Sequence, residues 1–281
     1  MRDKGFVGWY FKHQKGKDSI AFIPGKAESG AFVQMISANG SRQFDVPKLS
    51  VDDGVIRAGS CLFSKRGCEI DLPGVSGRIT YGKLRPLRSD IMGPFRFLRM
   101  ECRHSVLSMM HTLSGSVTVD HEQYHFNGGT GYIEKDSGTS FPSSYLWLQC
   151  NSFPEPCSVM VSVAQIPFCG ASFKGCICAI VYGGREYRLA TYNGVHIHAA
   201  EAGHVCLSQG KLLLEIDIEP SHDGHPLFAP VMGRMSGTIR ESSNADIRVR
   251  LWERGEAVFD LQSNSAAYEF VPAITRQDSD G

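Results

Sequence analysis

The sequence predicts an all-β protein made of two packed antiparallel β-barrel or sandwich units. Three observations carry this. Short apolar runs recur along the whole chain between turn residues, with thirty glycines and thirteen prolines spread throughout. Many of these runs alternate with a period of two, the spacing of a strand with one face buried. Between Ser19 and Ser89 no twelve-residue window combines apolar spacing of three and four with freedom from Gly and Pro, so helical signals are nearly missing there.

Taken in order, Gly8–Phe11 and Ser19–Gly25 flank a polar break and read as a hairpin closed by Pro24-Gly25. Ala31–Ser37, Arg42–Val46, Val55–Ala58 and Cys61–Ser64 continue as short strands between Asn-Gly, Asp-Gly and Gly-rich turns. Leu84–Leu98 contains Pro86 and Gly93-Pro94 and has no apolar stripe, so it is expected as a structured loop. Met100–His111 is expected as a strand. Thr112–Phe126 is expected as a hairpin turning near His121-Glu122.

In the second half, Ser158–Ile166 alternates, and Cys176–Tyr182 pairs with Glu186–Tyr192 across Gly183-Gly184. His204–Ser208, Lys211–Ile218, Ser236–Arg240, Asp246–Glu253 and Ala257–Leu261 complete the set. About eight strands per half suits small barrels able to enclose one apolar ligand. The expected division is a β domain over residues 1–145, a second over 146–272 and a disordered tail over 273–281.

Composition narrows the function. Twenty-nine basic and twenty-nine acidic side chains cancel, and no basic patch interleaves with aromatics, so nucleic acid is not an expected partner. No GxSxG or phosphate-binding glycine motif occurs, which leaves hydrolase and nucleotide readings without support. Nine cysteines, an odd number outside any C-x2-C pair, fit free thiols of a cytoplasmic protein. The N-terminus has no apolar run of signal-peptide length and no stretch is long enough for a membrane span. The expectation is therefore a soluble protein with at most peripheral membrane contact. Oligomeric state is not legible.

The stretch from Gly131 to Asn151, GYIEKDSGTSFPSSYLWLQCN, carries the strongest chemical signal. In an extended strand Glu134 and Asp136 point the same way, as do Trp147, Gln149 and Asn151. Carboxyls, an aromatic plate and amides on inward faces suit an apolar pocket with a few polar anchors.

These residues, together with GWYFK, AFIPG, FVQ, GPF, MECRHSVLSMMHTLSGSV and LATYNG in that order, resemble the tocopherol cyclase family and its bacterial relatives. The resemblance implies two lipocalin-like (calycin) β units. It also implies a chemistry that closes a ring by adding the hydroxyl of a prenylated quinol across the first double bond of its tail. That reaction needs a carboxyl that is protonated at working pH, and an apolar site with two neighbouring acids supplies one.

On this reading Glu134 or Asp136 is the acid, with His104 or His111 as candidate base. Trp9, Tyr10, Tyr145, Trp147, Gln149 and Asn151 are candidate substrate-binding residues, and no cofactor is called for. His104 and His111 are seven residues apart, so a regular strand sends them to opposite faces unless a bulge intervenes. His196 and His198, with Glu201 and His204 close behind, have a metal-like spacing that departs from a cupin site, and no metal is expected. The alternative to an enzyme is a carrier whose barrel binds a hydrophobic small molecule without transforming it.

Overall fold

The computed structural model describes residues 5–168, 170–220 and 223–273. The protein is all-β: twenty-two strands and two short 3-10 turns, Gly93–Phe97 and Thr191–Asn193, with no α-helix among the described residues. Of the residues expected as a tail, 274–281 lie outside those described.

The first sheet comprises β1 (Phe6–Lys15), β2 (Asp18–Ala27), β3 (Gly30–Ser37), β4 (Gly40–Val46), β5 (Leu49–Asp52), β6 (Val55–Ala58), β7 (Cys61–Ser64), β8 (Gly67–Leu72), β9 (Val75–Tyr81), β10 (Cys102–Val119), β11 (Glu122–His125) and β12 (Thr130–Gly138). The second comprises β13 (Tyr145–Cys150), β14 (Cys157–Phe168), β15 (Ala171–Tyr182), β16 (Arg185–Ala190), β17 (His196–Glu201), β18 (His204–Gln209), β19 (Leu212–Glu219), β20 (His225–Val231), β21 (Arg234–Glu253) and β22 (Glu256–Val271). Every pairing is antiparallel. Strand order is β4-β3-β2-β1-β12-β10-β9-β8-β7-β6-β5 in one sheet and β16-β15-β14-β13-β22-β21-β19-β18-β17 in the other.

Each path has two ends rather than a closing ladder, so the expected barrels are open, curled sheets. The long strands produce the curl by changing partners. β10 pairs with β12 along its first part and with β9 and β11 along its second. β21 likewise pairs first with β20 and then with β19. Register shifts in β10 and β21 supply the bends, since an unpaired extra residue kinks a strand and raises its twist. The sequence breaks these strands at the wrong places. Met100–His111 and Thr112–Val119 run on as one strand, as do Ser236–Arg240 and Asp246–Glu253, because a bulge interrupts apolar alternation just as a turn does.

Alternation sends side chains to both faces, and both faces are used. One face of the first sheet closes over a core that includes Phe11, Phe22, Phe63, Ile79 and Phe126. One face of the second closes over Leu148, Val161, Ile180, Leu214 and Val249. The opposite faces pack against each other through Tyr10, Ile36, Met109, Tyr132, Trp147, Met160 and Ala267. The interiors of the curls are therefore filled by side chains, and the ligand-sized space lies between the units instead of inside a barrel.

Two crossings seal the sides. The β20–β21 hairpin reaches over the first sheet, where Gln34 Nε2 and Ser41 Oγ donate to the carbonyls of Phe228 and Pro226. The Leu84–Leu98 loop leans on the second sheet through Arg188, which donates to the Ser89 and Asp90 carbonyls.

Candidate active site

The cavity between the sheets encloses about 1290 Å³ including its open mouth. Its walls are mostly apolar: Phe6, Ile23, Met92, Phe141 and Trp147 are typical. The polar exceptions converge. Across β1 and β12, Tyr10 pairs with Glu134 and Gly8 with Asp136, and across β10 and β12 His104 pairs with Asp136. Directly opposed residues in an antiparallel pair share a face, so Tyr10, His104, Glu134 and Asp136 all look into the gap. The second sheet answers with Trp147 beside Glu269, and Glu269 beside Glu241. All of these line the cavity.

Tyrosine hydroxyls hold three of the acids, one of them across the gap. Tyr10 donates its hydroxyl across the gap to Glu241 Oε1 at 2.5 Å. Tyr132 donates to Glu134 Oε2 at 2.6 Å, and Tyr145 to Glu269 Oε2 at 2.6 Å. His104 lies between two acids, with Nδ1 2.9 Å from Asp136 Oδ1 and Nε2 3.3 Å from Glu134 Oε2. The edge of the Tyr10 ring meets Trp147 with centroids 5.5 Å apart. Trp147 Nε1 is buried without a hydrogen-bond partner, which leaves a polar atom available to a ligand.

The electrostatics divide the site into two. Burial alone would depress His104, but the carboxylates of Glu134 and Asp136 outweigh it and lift the imidazole to about 9, so it is cationic at neutral pH. Burial lifts Glu134 to about 7, against the pull of His104. Glu241 and Glu269 are both raised, chiefly by burial, and they stand directly opposite each other on β21 and β22. Two buried carboxyls in contact do not ionise together cheaply, so this pair keeps a proton near neutrality. One side of the cavity thus holds an ion cluster and the other a protonated acid pair.

Of the residues singled out in the sequence, Glu134, Asp136, His104, Tyr10, Tyr145 and Trp147 come together here. Trp9 borders the cavity, but its ring belongs to the first core, with the Lys135 ammonium 5.1 Å from its centroid. Three others lie elsewhere. His111 faces the first core, with Nδ1 3.1 Å from Ser108 Oγ, and burial pushes it down to about 4. Two register shifts separate it from His104, and two shifts restore the parity that one would have broken. Gln149 shares the face of Tyr145 and Trp147 but sits beyond the cavity, where Oε1 accepts from Lys12 Nζ at 3.1 Å. Asn151 donates Nδ2 to the Gly131 carbonyl at 2.9 Å. Both amides fasten the sheets together. Glu241, Glu269 and Tyr132 were not singled out from the sequence.

Lys12 is part of the same fastening. It is 1% exposed, also donates to the Ser265 carbonyl at 3.2 Å, and is lowered to about 8 by burial. Lys12→Met keeps the stem but leaves Gln149 Oε1 and the Ser265 carbonyl unpaired. The expected loss is about 1–3 kcal/mol of stability, read by chemical denaturation.

His104, Glu134 and Asp136 bring ligand atoms within 4.8 Å of one another, a spacing compatible with a divalent ion. Each ring nitrogen of His104 already faces its own carboxylate, so the imidazolium supplies the positive charge such an ion would bring. His196 and His198 are exposed; His198 bonds Ser208 and His204 bonds Asp217, so these rings do not converge.

Fold and site together define a two-sheet β protein with an acid-lined apolar cavity at the seam between its halves. Comparison with known proteins gives that class a family. Residues 74–271 match the family described as tocopherol cyclase-like, and the chain belongs to it. It is 28% identical over 171 residues to the Oryza sativa subsp. japonica protein named "Probable tocopherol cyclase, chloroplastic", covering 56% of this chain and 36% of that one. The chain thus spans little more than a third of that relative's length. Among solved structures, CghA with Sch210972 superposes with a TM-score of 0.62 at 11% identity over 97% of this chain and 90% of that chain. Kievitone hydratase from Nectria haematococca superposes with a TM-score of 0.52 at 11% identity over 96% and 90%. These superpositions share the fold, including both β units.

Proposed function

We propose that the protein is a cofactor-independent cyclase that protonates an alkene of a prenylated quinol, or a related isoprenoid, and closes a ring onto it. The observation that carries the reading is the pairing, in one apolar cavity, of two acids facing each other, Glu241 and Glu269, with an ion cluster in which His104 sits between Glu134 and Asp136. The family membership and the names of relatives support the same chemistry.

The step balances without redox partners. The Glu241–Glu269 pair gives its proton to the less substituted alkene carbon. Trp147, beside Glu269 in the sheet, lends its π face to the tertiary cation. The phenolic oxygen forms the new C–O bond, and its proton leaves to the carboxylate of Asp136, since its partner His104 is already an imidazolium and can only donate. One proton enters and one leaves, so the product is an isomer of the substrate. The Glu134 or Asp136 acid expected from the sequence becomes, on this reading, the receiving side, because His104 holds positive charge between them.

The test is incubation of the purified protein with a prenylated hydroquinone in detergent under reducing conditions, with mass spectrometry of the extract. A ring-closed isomer is expected, formed in deuterated water with one deuterium on the former alkene carbon. Recovery of tightly bound, unchanged prenyl quinol would instead favour the carrier.

A further inference from the structure

Three chain tips contribute lining residues to the cavity, and each also carries apolar side chains exposed to solvent. In the Gly93–Phe97 turn Phe95 lines the cavity, while Phe97 is 77% exposed. On the β14–β15 hairpin Ile166 and Phe173 line it, while Phe168 is 49% exposed. On the β20–β21 hairpin Pro230 and Met235 line it, while Val231 and Met232 are 47% and 70% exposed.

The three tips adjoin. Phe168 meets Phe173 and Phe173 meets Phe95, each with centroids 6.3 Å apart. The Met232 amide donates to Ser140 Oγ at 2.9 Å, and the neighbouring Thr139 amide donates to the Glu101 carbonyl at 2.8 Å, at the end of the segment that follows Phe97. Large apolar side chains at the tips of three separate turns cost free energy in water, and much of their surface is left unpacked. Arg96, Arg99, Arg103, Lys174 and Arg234 are exposed among them, and of these Arg234 pairs with Glu28. The rim is therefore apolar at its tips and basic between them, although the chain as a whole carries no net charge.

We infer that this rim docks the protein on an anionic lipid bilayer, with the cavity mouth facing the membrane. Apolar tips enter the boundary between headgroups and acyl chains while Arg and Lys meet lipid phosphates, the division of labour seen in interfacial binding. The geometry gives an apolar molecule a path from the bilayer into the cavity without crossing water. This goes beyond the proposed ring closure and does not depend on it.

The test uses the full chain and substrate-free vesicles of phosphatidylcholine with 30% phosphatidylglycerol, about a third anionic lipid so that surface charge dominates, so its result stands apart from any assay of cyclisation. Co-sedimentation is expected for the unaltered protein, with weaker binding at high salt because exposed charges are screened. Phe97→Glu combined with Met232→Glu is expected to lower the bound fraction at least tenfold, with the circular dichroism spectrum and melting temperature preserved. Phe168→Ser, which adds no charge, checks that the loss follows the apolar tip. Failure of the unaltered protein to sediment with vesicles, or equal binding by the variants, overturns the inference. A concentration-dependent dimer abolished by the same substitutions would overturn it too, since the rim would then meet a second copy of the chain.

Discussion

Glu269→Gln and Glu241→Gln are each expected to lower turnover by about 10²–10⁴-fold, the range typical of a lost general acid. Each substitution keeps the size and the tyrosine bond of the acid while removing its transferable proton: Tyr145 still donates to residue 269 and Tyr10 to residue 241. Binding of the quinol, followed by quenching of tryptophan fluorescence, should change little. On the proposed mechanism the unaltered protein should lose rate as pH rises through the raised titration of this pair, because the ionised form has no proton to give. Asp136→Asn is expected to lower turnover by weakening acceptance of the phenolic proton while leaving the fall of rate with rising pH in place, because the Glu241–Glu269 pair still supplies the proton. Full activity of both Gln variants would remove the acid pair from the mechanism.

The second large effect falls on stability. His104→Ala leaves Glu134 and Asp136 facing one another in a buried site without their cation, and losing one partner of a buried ion pair costs about 3–5 kcal/mol. The pH dependence has a definite sign. His104 titrates at about 9 in the folded protein against its ordinary 6.5, so its contribution is complete below about 6.5 and disappears as pH climbs through 9. The raised carboxyls add to the same trend. Glu134, Glu241 and Glu269 hold protons that the unfolded chain releases near 4.5, so folding loses free energy as pH rises above that value. Stability of the unaltered protein should therefore fall between neutral pH and pH 9. The His104→Ala protein should show a lower and flatter curve over that interval in urea titrations at several pH values.

The strands were legible because their signal is local. Period-two runs and Gly-containing turns locate β3, β6, β7 and β14 close to their observed bounds, whereas Pro24-Gly25, expected to close a turn, lies inside β2. The long strands were not, because a bulge inside β10 or β21 resembles a break in the pattern. The same distinction runs through the site. Glu134 and Asp136 are spaced by two and so announce a common face. Glu241 and Glu269 are brought side by side by pairing of β21 with β22, which their separation in the chain does not reveal. Glu269 did leave one trace, a lone acid in the apolar run Ala266-Ala267-Tyr268-Glu269-Phe270-Val271. Glu241, followed by Ser242, Ser243 and Asn244, left none.

Gln149 and Asn151 illustrate the converse. The spacing that put them on the face of Trp147 was sound, but a face is longer than a cavity, and the lower part of this one is occupied by Lys12 and the Gly131 carbonyl. Period-two reasoning identifies a side of a sheet; where along that side a ligand fits depends on the opposing wall, which is distant in sequence.

The Tyr10–Glu241 bond spans 231 positions of the chain, and the Lys12–Ser265 bond 253. During synthesis from the N-terminus, the first sheet can curl over its own core while the wall that completes the acid site has yet to be made. Until the last strands arrive, Tyr10, Lys12, Tyr132 and Glu134 have no opposing sheet, and a half-made chain displays an apolar, hydrogen-bond-hungry face. Contacts of such separation slow folding and prolong exposure to aggregation. The protein therefore completes its acid-lined cavity and gains its protection from self-association in the same late event, the docking of β21 and β22.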